Sequence, residues 1–296
     1  MECSKSHPWP IKPEFQSTKA DRKWLFLSLG CIAAFCLSLG YLFCLFYKRK
    51  RFDIETVVLS SFIDVVGYFV VLVPTIWFLQ VYLPFWTLVS FISNLGLILL
   101  LVTCKSFLVD RYPSISTDKV SLDFFVAYVA AATFEEIIKA FVYLVPLIAV
   151  KRLRSVYTLA YLAICSGCTF ATIENLILAS SGPDQALTRF VWCTATHTSD
   201  CLVGALILAH VKTRSLKKWQ MMLTLPLVLV APIILHGTYD LVLFLSKDLG
   251  ESWLAPMSIL VGIVSLGTAF ILFLPFWKVL RRSRQSSASS GALIIV

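Results

Sequence analysis

Two glutamates and a lysine interrupt an apolar run near the middle of the chain. The octapeptide FEEIIKAF (134–141) lies inside SLDFFVAYVAAATFEEIIKAFVYLVPLIAV (121–150), which is otherwise mostly apolar. Glu135 and Lys139 are four residues apart, so a helix places them on one face in the order that favours an ion pair. Glu136 adds a second carboxylate. Adjacent carboxylates in an apolar surrounding are suited to general base chemistry, because burial and like charge both favour proton uptake.

Two histidines each have an acidic neighbour at helical spacing. His197 precedes Asp200 by three residues in TATHTSDC, and His236 precedes Asp240 by four in HGTYD. At these spacings a helix allows the carboxylate to orient the imidazole and to raise its basicity. Each pair is therefore a candidate for acid–base chemistry or for metal binding.

A further polar group lies in CSGCTFATIENLIL (165–178). Glu174 and Asn175 come near the end of this run, and Phe170 precedes Glu174 by one helical turn. At that spacing the aromatic ring can shield the carboxylate from its surroundings. Glu174 and Asn175 are therefore further candidates for a polar site inside apolar helices.

The composition indicates that membrane helices position these residues. Of 296 residues, 58% are hydrophobic and 15% charged, and the mean hydropathy is +0.82. A transmembrane helix needs about 20 mostly apolar residues. Candidate segments lie at about 24–47, 56–80, 83–104, 121–149, 156–180, 190–211, 220–246 and 253–278. We therefore predict an all-α, polytopic membrane protein with about eight transmembrane helices and a four-helix catalytic core.

The predicted organisation follows from these segments. It consists of a cytoplasmic N-terminal tail (1–23), accessory transmembrane helices (24–119), a catalytic core (120–246), a last transmembrane helix (247–280) and a disordered C-terminal tail (281–296). The formal net charge of +9 is expected to come from loops that face anionic lipid headgroups. The lipid bilayer is thus a predicted partner. Nucleic acid is not, because no basic cluster lies in a segment long enough to fold outside the membrane.

The cost of burying charge predicts that these polar residues meet. An ionised side chain at the bilayer centre costs about 2.5–3.5 kcal/mol on the most permissive scale. A single pair such as His236–Asp240 would more often be a structural contact between helices. Polar groups in four successive helical segments instead favour one shared functional cavity.

The same residues carry a resemblance to a known family. FEEIIK (134–139) resembles the E-E-x-x-K motif of the PrsW family of intramembrane proteases, and SGCTFATIEN (166–175) resembles its F-x-x-x-E-N motif. His197 followed by Gly204 is similar to the third motif, and HGTYD (236–240) to the H-x-x-x-D motif. The resemblance covers about 121–246, with Cys168 and Asp200 as departures. PrsW proteins are related to CAAX prenyl endopeptidases and bacteriocin-processing proteases.

The resemblance implies hydrolysis of a peptide bond in or next to the membrane span of a membrane-anchored protein or peptide. The general base that activates water would be Glu135 or Glu136, and the spacing leaves open which. The catalytic set implied is Glu135, Glu136, Glu174, Asn175, His197 and His236, with Lys139, Phe170, Asp200 and Asp240 in supporting positions.

Two mechanisms are compatible with this set. Without a cofactor, one histidine shares in water activation while the other, with Asn175, donates hydrogen bonds to the oxyanion. With zinc, a glutamate and two histidines hold the ion, the candidate ligands being Glu136, His197 and His236. We favour the mechanism without a metal, because no H-E-x-x-H motif is present. On that basis the two histidines are expected to stand further apart than the roughly 4 Å that a shared zinc ion requires, with room for a peptide bond and water between them.

Two other functions use the same residues. Intramembrane Glu, His and Asp also mark proton relays, as in a proton-coupled transporter. The sequence shows no internal repeat and no matched pair of Gly/Pro-broken segments, which many transporters have. A non-catalytic scaffold of the same fold is the other alternative.

Overall fold

A computed structural model describes residues 54–79, 83–111, 119–150, 153–177, 183–214, 216–250 and 254–289. All regular structure in these ranges is helical, as predicted. In chain order the elements are α1 (Ile54–Leu79), α2 (Pro84–Arg111), α3 (Lys119–Phe124), the π-helical segment π1 (Phe125–Thr133), α4 (Phe134–Ala149), α5 (Val156–Ile177), α6 (Pro183–Thr213), α7 (Lys218–Thr224), α8 (Leu227–Leu249) and α9 (Leu254–Ser289). The predicted tail (1–23), the segment at 24–47 and residues 290–296 lie outside the described residues.

Four helical stretches of the described chain are long and apolar enough to cross a membrane. They are Val156–Leu176, Leu187–Thr213, Lys218–Leu249 and Pro256–Lys278. Two shorter apolar stretches are Ser61–Thr75 and Phe85–Ile98. Helices of this length and composition are those of an integral membrane protein.

Helix α5 lies at the centre of the bundle. Its membrane-length stretch is 94% buried, and it packs against α1, α2, α4 and α6. A helix that is apolar all round is typically buried inside a bundle. The approach of α6 is very close at Gly167, where an added Cβ would lie 2.5 Å from the backbone oxygen of His197. Gly167 therefore determines how near His197 lies to α5.

The segment π1 connects the first turn of α4 to α8. Thr133 Oγ1 donates to the carbonyl oxygen of Tyr128, five residues earlier, at 2.6 Å. The Tyr128 hydroxyl lies 2.7 Å from Thr238 Oγ1, and its ring covers Gly237, where an added Cβ would overlap the ring. Gly237 directly follows His236 in the chain. The docking of π1 on α8 thus holds the beginning of α4 next to this histidine.

Two helix boundaries differ from the sequence prediction. The predicted continuous segment 220–246 is divided into α7 and α8 at Leu225–Pro226, and Pro226 provides the N-cap of α8. Helix α9 extends to Ser289, whereas a disordered tail was predicted from 281. Once a helix has formed, adding residues at its end costs little, so this polar segment continues the helix.

The packing of α5 on α6 can be tested at Gly167. We expect Gly167→Ala to lower the thermal unfolding midpoint in detergent, by an amount equivalent to about 1–3 kcal/mol of overpacking. Gly96→Ala is the matched control, because no atom of the described residues lies within 4 Å of a Cβ at that helical position. Equal midpoints for the two variants would contradict the close approach of the helices.

Candidate active site

A buried ion pair on α4 forms the centre of the site. Nζ of Lys139 contacts Oε1 of Glu136, and the two side chains are 0% and 2% exposed. Helical spacing predicted Glu135 as the partner of Lys139, and the structure corrects this pairing to Glu136. Residues three and four positions away share a helix face, and Glu135 is directed instead toward Nε2 of His236, at 3.5 Å.

The Lys139 ammonium has two further neighbours. Nδ1 of His197 lies 2.8 Å from Nζ, and the Phe170 ring centroid lies 4.8 Å from it. The same ring is 5.4 Å from the imidazole of His197. Phe170 was expected to shield Glu174, but the structure places its ring against Lys139 and His197, where it contributes a cation–π contact to a desolvated charge.

These contacts assign the tautomer of His197. A lysine ammonium has only donors, so Nδ1 of His197 accepts from Lys139 and the ring proton is on Nε2. Nε2 lies 2.9 Å from Oε2 of Glu174 and donates to it. Both nitrogens of His197 are therefore committed to the protein.

His236 is enclosed by three carboxylates. Nδ1 lies 2.8 Å from Oε1 of Glu136, and Nε2 lies 3.5 Å from Glu135 and 3.3 Å from Oδ2 of Asp240. The Asp240 contact is the one that the i,i+4 spacing predicted. His236 thus connects α8 to both glutamates of α4.

The two histidines lie next to each other. Their ring centroids are 4.7 Å apart, with an angle of 89° between the ring planes. The expectation that a peptide bond and a water molecule fit between the two histidines is wrong, because the rings are in direct contact. Lys139 and Glu136 lie on one face of α4, and because Lys139 binds His197 while Glu136 binds His236, the two rings are brought together. A peptide bond does not fit between them.

Asp200 has a different partner from the one expected. Its Oδ1 accepts from the hydroxyl of Ser265 on α9, and its Oδ2 is buried without a hydrogen-bond partner among the described residues. Asp200 was predicted to orient His197, on its own helix. The structure instead groups its carboxylate with the ligating atoms of Glu136 and His236, all within 4.8 Å of one another.

One residue of the site was missed in the sequence. Arg189 on α6 forms an ion pair with Oε1 of Glu174 at 3.0 Å and donates from Nε to Oδ1 of Asn175, also at 3.0 Å. The available signal was the spacing of Arg189, Cys193 and His197, each four residues after the previous one, which places them on one helix face. Every catalytic residue named in the sequence analysis contacts this connected group of side chains.

The fold and the site define a helical membrane protein in which carboxylates and imidazoles meet within the bundle. A family model described as PrsW family intramembrane metalloprotease matches residues 83–279. This is more than half of the chain, and the chain belongs to that family. The protein is therefore an intramembrane protease and an integral membrane protein, and the resemblance to this family is confirmed. Neither a curated protein nor a solved structure is found to match the chain.

The family description implies a metal, and some distances in the site permit one. Three groups of side chains in the described residues each bring three possible ligand atoms within 4.8 Å of one another. They are Glu135, His197 and His236; Glu174, Cys193 and His197; and Glu136, Asp200 and His236. Small side-chain movements would bring such atoms to the spacing of zinc ligands, which lie at about 2.0–2.3 Å from the ion.

The hydrogen bonds do not fit a metal, however. A metal-bound imidazole donates its second ring nitrogen to an acceptor, whereas Nδ1 of His197 faces the donor-only ammonium of Lys139. The same ammonium contacts Glu136 in the third group, and Arg189 contacts Glu174 and Cys193 in the second. In each group, therefore, at least one side chain is already bound to Lys139 or Arg189.

The central ion pair generates a prediction for Lys139→Met. The variant should fold poorly and lose activity together, because removing one partner of a buried pair costs about 3–5 kcal/mol. Expression, the unfolding midpoint and cleavage would be measured side by side. Lys119→Met is the control, since that lysine is 59% exposed and its pair with Asp248 is expected to contribute less than about 1 kcal/mol. A stable and active Lys139→Met protein would show that the pair is dispensable.

Proposed function

We propose that the protein hydrolyses a peptide bond in or next to the membrane span of a membrane-anchored protein or peptide, with a water molecule activated by a glutamate. The observation that carries this proposal is the contact of His236 with Glu135 and Glu136 inside the bundle. A carboxylate pair beside an imidazole supplies both a base for water and a proton donor for the departing amine.

Glu135 is the better candidate for the base. Oε1 of Glu136 is shared by Lys139 and His236, so transferring a proton to Glu136 would disrupt the buried ion pair. Glu135 approaches His236 at 3.5 Å, longer than a hydrogen bond. Water activation by Glu135 leaves the pair between Glu136 and Lys139 intact.

The reaction then proceeds in two steps. Glu135 takes a proton from water, and the resulting hydroxide adds to the carbonyl carbon of the substrate. The oxyanion accepts hydrogen bonds from donors that include Nδ2 of Asn175, which is buried and has no partner among the described residues. When the C–N bond breaks, the protonated Glu135 returns its proton to the amine. His236 shares in this proton transfer through Nε2.

His197 has an orienting role in this scheme. Its two nitrogens are bound to Lys139 and Glu174, so the ring has no lone pair left for water. The sequence analysis left open which histidine shares in water activation. The contacts favour His236, and His197 holds Lys139 and Glu174 in place.

We further propose that the catalytic core is formed by four helices within 120–246 and that the chain crosses the membrane about eight times. The first part is supported by the origin of the side chains. They come from α4, α5, α6 and α8, in the order Glu135, Asn175, His197 and His236. The segment at 24–47, which the sequence predicts as the first crossing, lies outside the described residues.

The role of Glu135 is tested with purified protein in liposomes and candidate membrane-anchored substrates. We expect Glu135→Gln to lower kcat by about 10²–10⁴-fold, the usual contribution of a general base, with an unchanged unfolding midpoint. Glu136→Gln should lose both activity and stability, because Lys139 would lose its charged partner. Asp248→Asn, outside the site, is the control. Full activity of Glu135→Gln would contradict the assignment, and the absence of any cleavage by the wild type would favour the scaffold.

The metal question is answered by elemental analysis of the active, detergent-purified protein. We expect no stoichiometric zinc, and we expect cleavage to persist after treatment with a chelator and its removal. The reason is that Lys139 and Arg189 are bound within the groups that could hold an ion. Near-stoichiometric zinc whose removal abolishes cleavage and whose return restores it would establish the metal mechanism instead.

A further inference from the structure

Arg189 connects two residues of the site, at the end of the chain of contacts that runs from Lys139 through His197 to Glu174. It lies on α6, two turns before His197, and its guanidinium faces Glu174 and Asn175 on α5. Nη2 is 3.0 Å from Oε1 of Glu174, and Nε donates to Oδ1 of Asn175 at 3.0 Å. The Arg189 and Glu174 side chains are 23% and 30% exposed, so this pair lies at the more open edge of the site.

The contacts of Glu174 are divided between its two oxygens. Oε1 is bound by Arg189, and Oε2 accepts from Nε2 of His197 at 2.9 Å. Because one oxygen is fixed by a guanidinium, the carboxylate plane cannot rotate away from the imidazole. The orientation of the His197 ring therefore depends on Arg189 as well as on Lys139.

The amide of Asn175 is oriented by the same guanidinium. An amide offers one oxygen acceptor and one NH₂ donor, and Arg189 occupies the oxygen. Nδ2 is buried and has no hydrogen-bond partner among the described residues. The group left for a substrate is thus the donor, which is what an oxyanion requires.

We infer that Arg189 is a positioning residue of the protease site, which sets the orientation of the Glu174 carboxylate and of the Asn175 amide. This inference rests on the proposed function, because it assigns Asn175 and His197 their places in the reaction. A lysine could keep the charge near Glu174 but could not reproduce two directed contacts from one planar group.

A purely structural role predicts a different outcome from a positioning role. Partly exposed ion pairs contribute little to stability, about 0–1 kcal/mol. Misplacing a catalytic group by about 1 Å can cost about 10²-fold in rate. Removal of the guanidinium should therefore change kcat much more than the unfolding midpoint or KM.

The test compares Arg189→Gln, Arg189→Lys, Glu174→Gln and the double variant Arg189→Gln/Glu174→Gln on one cleaved substrate. We expect Arg189→Gln to lower kcat by about 10²-fold with KM changed less than about threefold, and Arg189→Lys to recover part of the loss. The double variant should be no slower than the slower single variant, because both substitutions disturb one unit. Arg154→Gln is the matched control with unchanged kcat, since among the described residues Arg154 donates to carbonyl oxygens at the end of α4.

Wild-type kcat in Arg189→Gln, or losses that multiply in the double variant, would overturn the inference. If Arg189→Gln does not fold, Arg189→Lys carries the test, and an unchanged kcat in that variant has the same meaning. A second measurement separates this inference from the protease proposal. The ¹⁵N NMR shift of His197 Nε2 reports its hydrogen bond to Glu174, and Arg189→Gln should change this shift while those of the His210 ring stay constant. An unchanged His197 spectrum would refute the inference even if the wild type cleaved no substrate.

Discussion

The buried ammonium of Lys139 is the constraint on which the rest of the site depends. Its side chain is fully buried in a bundle of apolar helices, where an unpaired charge would cost several kcal/mol. It is satisfied by the carboxylate of Glu136, by Nδ1 of His197 and by the face of the Phe170 ring. These partners come from α4, α6 and α5, so the contacts that stabilise one buried charge fix three helices relative to one another. Glu136 then binds His236 and adds α8.

The Lys139 ammonium also places the two histidines in different environments. Because Lys139 can only donate, it fixes the proton of His197 on Nε2, and in the proposed mechanism that ring takes no part in proton transfer. The ring nitrogens of His236 contact carboxylates, and in the proposed mechanism this histidine exchanges protons with Glu135. The contact of Lys139 with His197 also explains why the hydrogen bonds do not fit a metal, although the family description implies one. The possible ligand atoms are close enough to hold an ion. The positive charge that an ion would bring is, however, already supplied by Lys139 and Arg189.

Helical spacing predicted the contact between His236 and Asp240, and it failed for side chains whose partners lie on another helix. The pair His236–Asp240 was predicted because both residues lie on α8, and it is observed at 3.3 Å. Lys139 pairs with Glu136 and not with Glu135 because both glutamates also contact His236, which lies 100 residues after Glu136 in the sequence. Asp200 was misassigned because Ser265 on α9 cannot be inferred from helical spacing. Arg189 was missed because a single arginine near a helix end is indistinguishable from a charge that sets membrane orientation, and π1 has no unusual composition that would predict it.

The small residues of the motifs have a physical explanation in these polar contacts. Hydrogen bonds of 2.8–2.9 Å between side chains on different helices require backbones that approach closely. Membrane helices achieve this approach with small residues at their interfaces. Gly167 meets the backbone oxygen of His197, and an added Cβ at Gly204 would lie 2.5 Å from the backbone oxygen of Val228 on α8. Gly237 is covered by Tyr128 of π1. Each glycine thus allows two elements of the bundle to approach closely. This approach explains why the motifs combine a small residue with an ionisable one. The glycine sets the distance between the helices, and that distance decides whether the ionisable side chain reaches its partner.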